Sequence, residues 1–183
     1  PTLVLADEPT GNLDTESTRE VLDLLCCYHA TGQTMVLVTH DARVASAAEM
    51  MARVLGLREE RIDSLKYAGI LHDVGKLGVP TRVLQKAEAL TESEFASIQL
   101  HPVRGLEMVR GIRFLHEAYD GILHHHERMD GRGYPAGLRG HDIPEFARII
   151  AVADALDSMT STRSYRHARS VDEALGELGR CAG

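Results

Sequence analysis

The sequence predicts a mainly α protein, a helical bundle preceded by a short βαβ unit, on three observations. From Asp41 onward apolar residues recur at helical spacing and strand signals nearly vanish. Ahead of that point, two continuous apolar runs, TLVLA from Thr2 and TMVLV from Thr34, flank one amphipathic stretch. The third is composition: 183 residues with 44% hydrophobic and 26% charged side chains are globular, long enough for one ordinary domain with a sizeable core or for one domain plus a fragment of another.

TLVLA reads as a buried strand, PTGNLD as a turn, and TESTREVLDLLCCYHA as a helix with Val21, Leu24, Leu25 and Tyr28 on one face, ended by Gly32. TMVLV is the second buried strand, so residues 1–39 spell one parallel βαβ unit. Such a unit cannot bury both faces of its strands alone, which suggests a piece cut from something larger. ARVASAAEMMARVLGL is an alanine-rich helix closed by Gly56, and EERIDSLKYAGILHDVGK a second helix ending around Gly75. Thr91 with Glu94 forms a capping box that opens a helix toward His101. FLHEAYDGILHHH, EFARIIAVADALDSM and VDEALGEL supply three more amphipathic stretches.

A net charge of −7 argues against DNA or RNA as a partner, since sequence-independent binding needs a basic surface to replace phosphate counterions. No apolar run approaches the roughly 20 residues that span a bilayer, and the start lacks a charged region before an apolar stretch, so membrane insertion is not expected and the cytoplasm is the expected location. The three cysteines, Cys26, Cys27 and Cys181, read as reduced thiols. Histidine is the unusual residue, with ten, including the run His124, His125 and His126.

DEPTGNLD after its apolar strand resembles the Walker B strand and D-loop of ATP-binding cassette ATPases, and VLVTHD resembles their H-loop strand. The resemblance implies that Asp7 helps hold Mg²⁺, that Glu8 polarises the attacking water and that His40 contacts the γ-phosphate. Carboxylates at a strand end can organise such a site. The phosphate cradle is missing, however. A P-loop needs G-x-x-x-x-G-K-[ST], and GILHDVGKL has five residues between its glycines and Leu77 where Ser or Thr belongs. Asp7 and Glu8 are therefore expected to be vestigial.

The second part carries LHDVGKLGVP, QLHPVRG, HHHERMDGRGYP and IIAVADALDSMTSTRSYR. These resemble the HD-GYP family, a branch of the HD-domain metal-dependent phosphohydrolases, over about the last three quarters of the chain. The fold implied is an HD-type helical bundle. A carboxylate such as Asp73 can bridge two metals about 3.5 to 4 Å apart, a spacing suited to in-line attack on phosphate esters. Adjacent His72 and Asp73 on one helix lie about 100° apart around its axis, so both can lean toward one centre. The family pattern implies that one metal takes a leading histidine, here His40 in HDARVA, with His72, Asp73 and Asp154. The second shares Asp73 and adds His101, His125 and His126. His40 satisfies both families' patterns, but only the HD-GYP pattern has its other ligands in this chain. A glutamate that supports a third metal in some members is replaced here by Val36, so two divalent metal ions are expected, of Fe, Mn, Zn or Ni type.

On the substrate side, Lys76 lies four residues after His72 and would project from the same helical face toward a phosphate. Tyr134, braced by Pro135, belongs to the loop that names the family, and Arg163 and Arg166 match an R-x-Y-R element able to meet phosphate or guanine. The resemblance implies a cyclic di-GMP phosphodiesterase yielding pGpG or GMP, with Asp73 and Lys76 in the catalytic roles. A homodimer is the one protein association left open. Two alternatives stand beside this reading: a catalytically inactive chimera or signalling scaffold, and, further off, an ABC-type ATPase. The domain limits expected are 1–40 for the ATPase-like fragment and 41–183 for the helical domain, with the seam between about 40 and 63.

Overall fold

The computed structural model describes residues 3–7, 34–38, 42–161 and 168–181. Glu8, His40, Arg163, Arg166 and the helix expected between the two front strands lie outside the described residues. Strands β1 (Leu3–Asp7) and β2 (Thr34–Val38) pair in parallel with Leu3 opposite Thr34 and Asp7 opposite Val38, the arrangement expected of the front unit.

Helix α1 (Ala42–Val54) is built on small residues: Ala45, Ala48 and Ala52 repeat at helical spacing, and with Val44 they are buried. It stops where the sequence predicts. Gly56, at φ +75°, lets Leu57 N–H donate to the Ala52 carbonyl and its own N–H to Arg53, a Schellman closure. Helix α2 (Glu59–Leu71) then packs along α1, burying Ile62, Leu65, Ala68 and Gly69. A Cβ on Gly69 would stand 3.0 Å from the Ala45 Cα, so the two backbones approach about as closely as they can.

The expected helix through Gly75 ends four residues early, at Leu71. Asp73 leaves helical geometry at φ −97°, ψ 1°, and a 3₁₀ turn (Val74–Gly78) follows. The cause is tertiary. This turn lies against helix α5 (His101–Val109), and a Cβ on Gly75 would fall 1.9 Å from the His101 carbonyl oxygen. After the short α3 (Thr81–Leu84), helix α4 (Glu92–Gln99) opens with the predicted capping box of Thr91 and Glu94.

The stretch FLHEAYDGILHHH is likewise divided, into a 3₁₀ turn (Arg113–Ala118) and helix α6 (Tyr119–His124). The Tyr119 hydroxyl donates to the Arg110 carbonyl at 2.6 Å and fixes the corner after α5. Helix α7 (Glu145–Thr160) runs past α1, α2 and α6, burying Phe146, Ile149, Ile150 and Ala153 among Leu65, Ile122 and Ala48. Helix α8 (Val171–Cys181) packs on α7. Among the described residues the body is thus an all-helical bundle, and no helix is long and apolar enough to cross a membrane.

Leu65, fully buried at the crossing of these helices, is expected to cost about 2–5 kcal/mol of stability when changed to Ala, read from urea unfolding.

Candidate metal centre

Three helix ends deliver the site. His72 follows the last residue of α2, His101 begins α5 just after α4, and His125 follows α6. All three rings are buried. Each Nδ1–H donates to the backbone carbonyl three residues earlier: His72 to Gly69 at 2.7 Å, His101 to Ile98 at 2.8 Å and His125 to Ile122 at 2.8 Å. That bond assigns the tautomer, so in each neutral ring Nε2 carries a lone pair aimed inward.

The inward atoms then meet. His101 Nε2 lies 3.1 Å from His125 Nε2 and 3.2 Å from Asp73 Oδ1, an oxygen with no hydrogen-bond partner of its own. Three acceptors facing one another repel unless a cation lies among them, and imidazole plus carboxylate is a common donor set for divalent transition metals. With His126, these groups form a set whose ligand atoms all lie within 4.8 Å of one another. The residues present therefore fit a bound metal. The Nδ1–H bonds to backbone carbonyls are the supporting contacts that orient histidine ligands.

Electrostatics agrees. Burial pushes the Asp73 carboxyl up, but His101, His72 and Lys76 around it together outweigh burial and hold the group well below the usual range, ionised. Burial, then the neighbouring His126 charge, pushes His125 well down. Burial, then repulsion from His101, brings His126 down to about 4. Asp73 is thus ionised and His125 and His126 neutral near pH 7, the protonation state a metal requires of its ligands.

The remaining sequence candidates fall around this group. His72 Nε2 stands 3.5 Å from Asp73 Oδ2, the carboxylate's other oxygen. His72 and Asp73 do not share a helix as expected, because the chain leaves α2 between them and Asp73 turns back on the 3₁₀ start. For the same reason Lys76 is not set by an i+4 relation to His72: from the 3₁₀ turn its ammonium pairs with Asp73 Oδ2, three residues back. Asp154, part-buried on α7, stands outside the group of four, yet its charge reaches Tyr134. Burial, then Asp73 and Asp154, raises the Tyr134 hydroxyl well above its ordinary value, so that hydroxyl stays protonated. The Tyr134 ring lies 4.8 Å from that of His126 at an interplanar angle of 31°. Asp7 ends β1, and His40, Glu8, Arg163 and Arg166 are not among the described residues.

Sequence reasoning passed over Glu127. Its carboxylate is wholly buried and accepts from the Ala136 N–H at 2.7 Å and the Leu138 N–H at 2.9 Å. Its place directly after the two histidines was the only available signal.

A helical bundle that gathers histidine and aspartate side chains from separate helix ends is a metal-binding fold, and comparison with known proteins identifies which one. A family model described as an HD domain matches residues 30–183; the chain belongs to the HD domain family. It is 44% identical over 138 residues to the cyclic di-GMP phosphodiesterase response regulator RpfG of Xanthomonas campestris, covering 74% of this chain and 36% of that protein. It is 34% identical over 166 residues to a cyclic di-GMP phosphodiesterase of Thermotoga maritima, covering 90% and 44%. A 3'3'-cGAMP-specific phosphodiesterase of Vibrio cholerae is 40% identical over 139 residues, covering 74% and 32%. The chain thus spans less than half the length of these relatives. In fold it resembles Bd1817, an HDG"Y"P protein from Bdellovibrio bacteriovorus (TM-score 0.62, 24% identity, 76% of this chain and 44% of that one). It also resembles the HD domain of the L. monocytogenes phosphodiesterase PgpH (TM-score 0.58, 19% identity, 77% and 74%).

Two outcomes follow from the geometry. Gly75→Ala is expected to push the His101 backbone away from Asp73 and to lower metal content per chain, measured by elemental analysis after purification without chelator. In metal-free protein, His126 takes its proton near 4 when folded and near 6.5 when unfolded. The unfolded chain therefore binds more protons across that window, and stability falls as pH drops through it. The Tm of chelator-treated protein should decline between pH 6.5 and 4, and less steeply in His126→Gln.

Proposed function

We propose that this chain is a metal-dependent cyclic di-GMP phosphodiesterase of the HD-GYP type, hydrolysing the cyclic dinucleotide to pGpG or GMP through a two-metal site. The observation that carries the reading is the convergence of His101 Nε2, His125 Nε2 and Asp73 Oδ1 on one point, the latter two lying 3.1 and 3.2 Å from His101 Nε2. The names of the relatives supply the substrate class. One metal would be held by Asp73, His101, His125 and His126, and the other by His40, His72, Asp73 and Asp154. Metals bound there supply Lewis acidity and a water deprotonated near neutral pH, so no separate strong base is needed.

The chain's own groups do the rest. Lys76, held at Asp73 and about 40% exposed, presents its ammonium to a phosphate entering beside the carboxylate. Tyr134 offers a ring face and a protonated hydroxyl, able to stack on a base and to donate. Arg163 and Arg166 are assigned to phosphate or guanine. Buried walls around His72, His101 and His125 limit water around the reacting ester, which strengthens each charge interaction there.

For the front of the chain, the proposal keeps the ATP-binding cassette resemblance only as a sequence relic carried by DEPTGNLD and VLVTHD. The domain limits stay at 1–40 and 41–183, with the seam between about 40 and 63.

The test is hydrolysis of cyclic di-GMP by the metal-loaded chain, followed by separation of products. Asp73→Ala should reduce the rate by about tenfold or more, since it removes the oxygen donors proposed for both metals. A metal-loaded chain with no turnover would overturn the enzyme reading in favour of a signalling scaffold.

A further inference from the structure

Glu127 carries an inference that rests on the proposed function and deepens it. Its carboxylate has no exposed surface, and a buried carboxylate is costly unless its oxygens accept hydrogen bonds. Both of them do, from two amides in one loop: Oε1 from Ala136 and Oε2 from Leu138. The same loop is tied at a second point, where the Tyr134 N–H donates to the His126 carbonyl at 3.2 Å. Between these ties the loop lies directly on the backbone after the histidine pair. A Cβ on Gly133 would fall 2.4 Å from the Arg128 nitrogen and from the Glu127 Cα, so only glycine fits. The outcome is the Tyr134 ring lying against His126 and 6.4 Å, edge to face, from His101.

We propose that Glu127 is a positioning residue that clamps the loop 132–138 onto the histidine segment, holding Tyr134 over the metal centre where it grips the cyclic dinucleotide. The Glu127 carboxylate is not one of the four grouped ligands and, on this reading, does not meet the substrate. It acts through two backbone amides. The side chain has the length and the two acceptors this requires. Glutamine keeps one acceptor and sets its amide N–H groups against the second backbone N–H, donor against donor.

The experiment uses the full chain and Glu127→Gln. Loss of one of the two hydrogen bonds is expected to speed amide hydrogen exchange at Ala136 and Leu138 by about tenfold, while metal per chain stays at the parent value. For cyclic di-GMP, KM should rise by about fivefold with a much smaller change in kcat, the signature of lost substrate grip. Gly133→Ala displaces the loop without altering Glu127 and should raise KM in the same direction, which keeps the test open if the glutamine variant folds poorly. Unchanged exchange at both amides would overturn the clamp, as would metal content falling in step with activity, which would make Glu127 a prop for the histidine ligands instead. Faster exchange with an unmoved KM would overturn the role in substrate grip. If the parent itself shows no hydrolysis, the phosphodiesterase reading fails, and the exchange and metal measurements still decide whether the clamp exists.

Discussion

The site depends on one repeated interaction: a histidine just past a helix end donating Nδ1–H to a carbonyl of that helix's last turn. Gly69, Ile98 and Ile122 supply the carbonyls, at the ends of α2, α4 and α6. Last-turn carbonyls are the ones a helix leaves short of backbone donors, so each ring settles a local hydrogen-bond need while its other nitrogen is turned to the centre. A cation there is favoured by Asp73, which helps explain how the fold holds three imidazoles and a carboxylate together.

That interaction makes sense of where the sequence could be read and where it could not. The closure of α1 at Gly56 and the capping box at Thr91 both follow from signals within a few residues, and the structure has them as expected. The residues of the cluster were legible too, because His72, Asp73, His101, His125 and His126 sit in motifs whose chemistry needs them. The helix ends beside them were not. Apolar periodicity runs on through LHDVGK and ILHHH, while the chain leaves the helix at Leu71 and His124. At Leu71 the break coincides with the contact of Gly75 on the His101 segment, a neighbour twenty-six positions away that no local pattern announces.

The same gap hid two partnerships. Helical spacing placed Lys76 beside His72, whereas the tighter 3₁₀ turn delivers it to Asp73. Glu127 looked like one more charged residue in HHHERMDG, yet its partners lie nine and eleven residues ahead in an irregular loop. Buried acceptors that serve distant amides have no periodicity and no composition, so only the folded chain reveals them. In each case the local sequence gave the residue type, and a close backbone approach elsewhere decided what that residue touches.

The junction of Gly75 with α5 bears on how the centre moves. Side-chain contacts between helices are soft, since rotamers can yield by tenths of an ångström, but here the 3₁₀ turn and α5 meet with a hydrogen atom in place of a side chain. The turn carries Asp73 and Lys76 and the helix carries His101, so two of the four donors ride on one stiff joint. The spacing between Asp73 and His101 is thereby set by a contact of backbone on backbone, with no rotamer between the two elements to yield.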